Sequence, residues 1–348
     1  MSSAAVTTHK SRSWADRFLR GVLRGFLWLV VALFALWAFA ALYIDVRIPP
    51  ARLPLAILFA VAIIAIVWRY RLHMRGAILC LLCVCVVLIW WLNLKPTNQA
   101  DWQEDVSRRS STEVHGDQLT IHNFRNCDYV SEFVYSNCWS DKTLKLSYLR
   151  GMDLFFTTWG APGIGHPIVS FDFGNGQHVA FSIEARYRKG QDYSAFLGFF
   201  RQYELIFVVA DERDVIRLRT NFRKDEEVFL YRINLDAAVT RRIFDTYTHY
   251  LNALNDNPEW YNALTKNCTT TVDGQIMKEI PNQQAWNYQL LLNGTLDHLL
   301  YNRGRLVTDG LPFAELKQRA HINVAAKAAD GSPDYSSLIR AGRPGFTN

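Results

Sequence analysis

Residues 165–186, GHPIVSFDFGNGQHVAFSIEAR, give the clearest indication of the fold. Two segments of β-rich composition, Pro167–Phe173 and His178–Ile183, flank the sequence Gly-Asn-Gly. Glycine and asparagine readily adopt the left-handed backbone that a tight hairpin turn requires. The stretch therefore predicts two apolar strands that pair antiparallel through a short turn.

Sequence on both sides of this hairpin extends the prediction to a whole domain. Helical spacing of apolar residues replaces strand alternation over 236–255, and further helices are predicted near Cys268, over 285–304 and around Phe313–Arg319. Strands that are separated from helices along the chain indicate an α+β fold with an antiparallel sheet. The other predicted strands are Gln118–Phe124, Leu144–Leu149, Glu204–Val209, Val215–Thr220 and Val228–Ile233.

The first quarter of the chain contains three long apolar runs, at 25–44, 53–68 and 76–94. A run of about 20 apolar residues is long enough to cross the hydrocarbon core of a bilayer as a helix. We therefore expect a membrane anchor of three transmembrane helices over residues 1–94. Residues 95–115 are polar and predict a linker. Residues 116–348 form the predicted α+β domain.

Charge predicts the orientation of this anchor. Lysine and arginine are concentrated in the N-terminal tail and in the loop at 69–75, and such basic segments usually stay in the cytoplasm. Three crossings then place the C-terminal domain on the outer face of the cytoplasmic membrane. Residues 1–94 have 10 Lys or Arg against 2 Asp or Glu, whereas residues 95–348 have 28 against 30. The domain is therefore nearly neutral, which argues against nucleic-acid binding.

The six cysteines differ in their surroundings. Cys127 and Cys138 lie in the exported domain, where a disulfide can form, but the sequence leaves open whether their Cα atoms are close enough for one. Cys268 is left over. Three others lie inside the third apolar run, where small apolar side chains are the ordinary interpretation. These three are Cys80, Cys83 and Cys85.

Cys268 is therefore the candidate nucleophile. It stands in YNALTKNCTTTV, residues 261–272, and a helix that starts at this cysteine would place the thiol at a helix N-terminus. Backbone N–H groups and the helix dipole there stabilise a thiolate, and the same N–H groups can bind an oxyanion. The alternative is a buried structural thiol.

A cysteine nucleophile needs a base within hydrogen-bonding distance. Two histidines stand out: His166, which a glycine-rich turn delivers to the start of an apolar strand, and His178, which begins the partner strand. The sequence contains no G-x-S-x-G, H-E-x-x-H or phosphate-loop motif, and no His/Cys cluster at zinc spacing outside the membrane. We therefore predict neither a metal nor another cofactor.

A strand histidine followed by a hairpin and, later, by an Asn-Cys pair resembles the circularly permuted papain-like enzymes, which include NlpC-type and lecithin retinol acyltransferase-like enzymes. The similarity is closer still to the periplasmic domain of the Lnb-type lipoprotein N-acyltransferase family. The resemblance extends over most of the chain after the apolar runs. The stretches that carry it are 165–173, 181–186, 193–205, 211–214 and 260–270.

The resemblance implies a permuted papain-like domain at the periplasmic face of the bacterial inner membrane, with Cys268 as nucleophile and His166 as general base. Asn267 is the residue that precedes the nucleophile in the shared Asn-Cys pair. The third catalytic residue would be Glu184 or His178. Glu184 is favoured by its family-like Ser-Ile-Glu context.

The function that the resemblance implies is acyl transfer. The thiol would take an acyl chain from a membrane lipid or a lipoprotein, form an acyl-Cys268 intermediate and pass the chain to the N-terminal amine of a bacterial lipoprotein. Two alternatives remain open, a cell-wall peptidase or amidase of the permuted NlpC type and a membrane-anchored binding module without catalysis. A polar, open groove would favour the peptidase. A large separation between Cys268 and His166 would favour the binding module.

Overall fold

The computed structural model describes residues 14–136, 139–160, 163–276, 279 and 293–346. The chain divides into two compact units, and the boundary in the sequence lies between Lys95 and Pro96. The first unit is helical, and the second unit contains the sheet and the candidate site.

The first unit contains three helices: α1 (Trp14–Asp45), α2 (Pro49–Tyr70) and α3 (Met74–Leu92). Each is long and apolar enough to cross a membrane, so the prediction of three N-terminal apolar helices is confirmed. Most of their large apolar side chains are exposed on the protein surface. Exposed apolar helices of this length are expected where the surrounding solvent is lipid.

The described residues of the second unit form ten strands. In chain order these are β1 (Ser111–His115), β2 (Gln118–Arg125), β3 (Tyr129–Ser131), β4 (Val134–Tyr135), β5 (Trp139–Lys145), β6 (Gly151–Trp159), β7 (Gly165–Asp172), β8 (His178–Arg186), β9 (Glu204–Ala210) and β10 (Glu226–Arg232). The order in the main sheet is β1-β2-β9-β8-β7-β6-β10, with β5 also paired to β2, and β3 pairs only with β4. All pairings are antiparallel except that of β2 with β9.

The predicted hairpin is the centre of this sheet. β7 and β8 pair antiparallel, and residues 174–176 connect them with positive φ angles of 73°, 52° and 72°. Left-handed backbone at three consecutive positions suits the sequence Gly-Asn-Gly, because neither residue type resists that conformation strongly. The prediction of a tight turn is confirmed.

Helices cover both faces of the sheet. They are α4 (Glu212–Arg217), α5 (Ala237–Asp256), α6 (Cys268–Ile276), α7 (Leu296–Asn302), α8 (Phe313–Ala320), α9 (Asn323–Ala328) and α10 (Tyr335–Leu338). On one face, the Phe171 ring meets the rings of Phe244 and Tyr247 in α5 edge to face, with centroids 5.0 and 5.6 Å apart. On the other face, apolar residues of α4, α9 and α10 pack on Ile168 and Ala180. This arrangement confirms the predicted α+β class.

Residues 95–115 are not a linker. Trp102 and Val106 are buried, and the Arg186 guanidinium lies 4.1 Å from the centre of the Trp102 ring. Residues 111–115 form β1 at the edge of the sheet. Most side chains of this edge strand face solvent and are polar. The composition of the segment therefore does not indicate that it belongs to the domain.

Two predicted strands are wrong. Leu144–Leu149 is not a strand, since β5 ends at Lys145 and Leu146–Tyr148 form a 3-10 turn. Val215–Thr220 is not a strand, since these residues form the end of α4 and the π-helical turn Leu218–Phe222. β6 was not predicted, because its first seven residues are all buried between neighbouring strands and show no polar alternation. The helix predicted over 285–304 lies partly outside the described residues, and α7 is its described part.

Candidate active site

His166 and Glu184 lie on the two strands of the central hairpin. The pairing of β7 with β8 places Ile168 opposite Ser182. Continued by two residues, the same register places His166 opposite Glu184. Directly opposed side chains of an antiparallel pair point to the same side of the sheet, about 5 Å apart. The hairpin turn therefore sets the separation between the histidine and the carboxylate.

Ser182 bridges this pair. The Nε2 atom of His166 lies 2.9 Å from Ser182 Oγ, and the Ser182 hydroxyl donates to Glu184 Oε1 at 2.6 Å. Nε2 also lies 3.3 Å from the same carboxylate oxygen. Because the hydroxyl proton points to Glu184, the Ser182 oxygen accepts a hydrogen bond from Nε2–H. The contacts orient the imidazole and keep a proton on Nε2.

A guanidinium group balances the charge around Glu184. Arg219, on the π-helical turn after α4, is buried and donates to Glu184 Oε1 at 3.0 Å and to Glu226 Oε2 at 3.1 Å. Burial raises the pKa of Glu184, but the charges and hydrogen bonds of His166 and Arg219 outweigh burial and hold that pKa well below its usual range. Glu184 is therefore a carboxylate at neutral pH.

Cys268 is the first residue of α6, and Asn267 caps that helix. Asn267 Oδ1 accepts a hydrogen bond from the Thr270 N–H at 3.0 Å, and Thr270 Oγ1 accepts one from the Asn267 N–H at 3.0 Å. The Asn267 amide donates to the Ala263 carbonyl at 2.8 Å. Reciprocal bonds of this kind satisfy backbone N–H groups that a helix start leaves unpaired. Asn267 therefore positions the residue that follows it.

The Cys268 thiol lies close enough to the His166 imidazole to raise the pKa of that ring. Both residues are 6% exposed, and Cys268 is a free thiol. Burial lowers the pKa of His166, but the Glu184 carboxylate and the Cys268 sulfur outweigh burial and raise that pKa to about 9. The imidazole therefore carries a positive charge at neutral pH.

A close backbone contact fixes the loop before His166. The Gly294 N–H donates to the Gly163 carbonyl at 3.0 Å. A Cβ atom on Gly294 would come within 2.5 Å of the Gly163 Cα and the Ile164 nitrogen, so only glycine fits there. The turn that precedes α7 thus holds the chain three residues ahead of the histidine.

His178 does not belong to this cluster. It pairs with Asp172 at the other end of the hairpin, six residues from Glu184 along β8, which corresponds to roughly 20 Å. The prediction of His178 as an alternative third residue is wrong, because a strand cannot bring two such distant positions to one imidazole. Burial lowers the pKa of His178.

The remaining predicted groups lie elsewhere. Cys127 is disulfide-bonded, whereas Cys138 lies outside the residues that the structure describes. Within the described ranges, no group of three or more His, Cys, Asp or Glu side chains could hold a metal ion. The cysteines of α3 are free thiols.

Ser182 and Arg219 were not predicted as site residues. A signal for Ser182 exists, since residues two apart on a strand face the same side, and the hairpin register therefore places Ser182 beside Glu184. Arg219 has no comparable signal. Its segment has strand-like composition, and only the tertiary fold brings the π-helical turn over the hairpin.

These observations define a membrane protein with a mixed α+β domain, in which a free cysteine contacts a histidine supported by a hydroxyl and a carboxylate. Residues 135–294 match the family described as the Lnb N-terminal periplasmic domain. The resemblance noted in the sequence to the periplasmic domain of the Lnb-type family is therefore confirmed over these residues. Comparisons with curated proteins and with solved structures find no match.

Proposed function

We propose that this protein is a membrane-anchored thiol acyltransferase that forms an acyl-Cys268 intermediate and passes the acyl chain to the N-terminal amine of a lipoprotein. The observation that carries the proposal is the closeness of the Cys268 thiol to the His166 ring, which is supported by Ser182 and Glu184. A nucleophile, a base and a group that orients the base are the requirements of covalent catalysis. The match of residues 135–294 to the Lnb N-terminal periplasmic domain supports the same class of reaction.

In the first half-reaction, the Cys268 thiolate attacks the carbonyl carbon of an ester in a membrane lipid or lipoprotein. A C–S bond forms, and the carbonyl electrons move onto an oxyanion. The backbone N–H groups of Cys268 and Thr269 at the start of α6 are the donors for this charge, since Asn267 already occupies the N–H of Thr270. The C–O bond then breaks, and the His166 imidazolium gives its proton to the leaving alkoxide.

In the second half-reaction, the amine of the acceptor attacks the thioester carbon. A C–N bond forms and the C–S bond breaks, which regenerates the thiolate. His166, now neutral, accepts the proton that the amine loses. The carboxylate of Glu184 stabilises the imidazolium in each half-reaction because it stays ionised beside the ring.

The two alternatives receive less support. A binding module has no need for a free thiol beside an oriented imidazole. A peptidase would use the same pair of residues, but the segments around the nucleophile expose large apolar side chains: Phe196, Phe199 and Leu264 are 59%, 46% and 47% exposed. An apolar surface suits acyl chains better than cell-wall peptides.

The test replaces Cys268 with Ala and, separately, His166 with Ala in the full-length protein in its membrane. We expect the rate of N-terminal acylation of lipoproteins, measured by mass spectrometry, to fall at least about a thousandfold in C268A, because the reaction loses its nucleophile. The wild-type protein should also carry an acyl chain on Cys268 that hydroxylamine removes.

Cys83→Ala is the matched control, because this free cysteine lies in α3 rather than in the domain. C83A should keep wild-type acylation. Lipoprotein N-termini that are modified normally in both C268A and H166A would refute the proposed function.

A further inference from the structure

An exposed apolar surface lies next to the nucleophile. It is formed by Tyr193, Phe196, Phe199 and Leu264, which are 48%, 59%, 46% and 47% exposed, and we call it the aromatic face. Large apolar side chains that cluster on a surface usually mark a contact with another molecule. Within residues 193–207, the side chains of Phe200, Tyr203 and Phe207 are buried, whereas those of the aromatic face are exposed.

Hydrogen bonds join the two segments of this face and connect them to the site. The Ala263 N–H donates to the Gly198 carbonyl at 2.9 Å, and the hydroxyls of Tyr193 and Tyr261 lie 3.4 Å apart. Ala263 in turn accepts the bond from Asn267, the residue that positions Cys268. The aromatic face is thus held by the same short stretch of chain that presents the nucleophile.

The chain enters the domain beside the aromatic face. The Thr97 N–H donates to Glu204 Oε1 at 2.6 Å, and Glu204 follows Tyr203, whose ring lies 5.8 Å from that of Tyr193. Helix α3 ends at Leu92, so four residues separate it from Thr97. Five Cα-to-Cα steps span at most roughly 18 Å. The domain is therefore joined by a short segment to a helix that is long and apolar enough to cross a membrane.

The composition of the two segments also suits a bilayer surface. Residues 193–203 and 260–272 are rich in aromatic side chains, and their basic residues Arg201 and Lys266 are balanced by the bordering Asp192, Glu204 and Glu259. Arg201 lies 5.8 Å from the ring centre of Trp260, and Lys266 pairs with Glu259. Tyrosine and tryptophan favour the headgroup region, and phenylalanine and leucine enter the acyl boundary.

We propose that the aromatic face rests in the headgroup and acyl boundary of the bilayer and brings lipid to Cys268 directly from the membrane. The inference deepens the proposed function and rests on it in one respect, that the lipid reached there is the acyl donor. The occupant is the bilayer and not a second protein, because four residues join the domain to a helix that can cross a membrane and the exposed side chains of the face favour the headgroup and acyl boundary.

The experiment places the photo-crosslinking residue p-benzoyl-phenylalanine at position 196 or 199 of the full-length protein, reconstituted in vesicles of phosphatidylethanolamine and phosphatidylglycerol. The control position is Val324, which is 78% exposed on α9 and lies outside the aromatic face. After irradiation, mass spectrometry should find several-fold more phospholipid adduct at 196 and 199 than at 324. Equal lipid adduct at all three positions, or adducts with protein in place of lipid at 196 and 199, would overturn the proposal.

The same labelled proteins are also made with Cys268→Ala. The crosslinking does not depend on acyl transfer, so the lipid adducts at positions 196 and 199 should persist in this background. A failure of the lipoprotein test with strong lipid adducts would refute the acyltransferase function alone. A failure of the adducts with normal acylation would refute the membrane contact alone.

Discussion

At the scale of single residues, the surroundings of His166 determine whether its imidazole carries a positive charge. Its pKa of about 9 results from the Glu184 carboxylate and the Cys268 sulfur, which together outweigh burial. Because this value exceeds the ordinary value of 6.5, protonation of His166 contributes to stability fully below about pH 6.5. The contribution is lost as the pH rises through about 9.

Glu184→Gln should lower the pKa of His166 from about 9 toward or below 6.5, because the largest opposing charge is removed and burial remains. The imidazolium, which is proposed to protonate the leaving group, then loses its proton at a lower pH than in the wild type. We expect acyl transfer at pH 8 to fall about tenfold or more, and the alkaline limit of the pH–rate profile to move to lower pH.

Glu226→Gln is the control for this change, since Glu226 pairs with Arg219 at 3.1 Å while Glu184 stays beside the imidazole. Its alkaline limit should remain near that of the wild type. An E184Q profile that coincides with the wild-type profile would show that Glu184 does not set the protonation of His166.

At the scale of elements, the start of α6 determines where the thiol lies. Asn267→Ala removes the bond to the Thr270 N–H and should lower the free energy of unfolding by about 1 kcal/mol. It should also reduce the acyl transfer rate by more than this loss of stability explains, because the first turn of α6 carries both Cys268 and the proposed oxyanion donors. Denaturant unfolding and single-turnover acylation measure the two effects.

Asp236→Ala offers a matched comparison. Asp236 caps α5 by accepting a hydrogen bond from the Val239 N–H at 2.7 Å, away from the thiol. D236A should lose a similar stability and keep its acylation rate. Equal rates in N267A and D236A would contradict a positioning role for Asn267.

The elements also show how far the sequence could be interpreted. The β7–β8 hairpin and α5 could be predicted because a Gly-Asn-Gly turn and a clear apolar helical face are local signals. α4 has a local signal too, since Asp211 caps it and Glu212 and Asp214 lie in its first turn. The strand-like composition of Val215–Thr220 concealed that signal. This segment is helical because α4 and the π-helical turn pack on a face of the sheet, whose strands come from other segments.

At the scale of the whole molecule, a buried ion cluster attaches the C-terminal segment to the sheet. Arg340 donates to Asp153 on β6 at 2.7 Å and to Glu212 on α4 at 2.6 Å. Burial raises the pKa of Glu212, but Arg340 and the other neighbouring groups outweigh burial and lower it to about 2. No local pattern predicts this cluster, because its members lie almost 190 residues apart in sequence.

Arg340→Ala should lower the free energy of unfolding by about 3–5 kcal/mol, because it leaves two buried carboxylates without their cation. Arg319→Ala, which removes an exposed pair with Glu315, should cost less than about 1 kcal/mol. Thermal unfolding of the full-length protein in detergent measures both. Similar melting temperatures for R340A and R319A would show that the cluster does not hold the C-terminal segment.

Four residues connect the end of α3 to Thr97, whose N–H is hydrogen-bonded within the domain. This short connection has a kinetic consequence. A domain on so short a connection searches for its reactants within a leaflet and not through the bulk aqueous phase. For any reaction at Cys268, turnover should therefore follow the mole fraction of the donor in the leaflet. Diluting the vesicles at constant lipid composition should leave the rate per protein unchanged, whereas diluting the donor with inert lipid should reduce it.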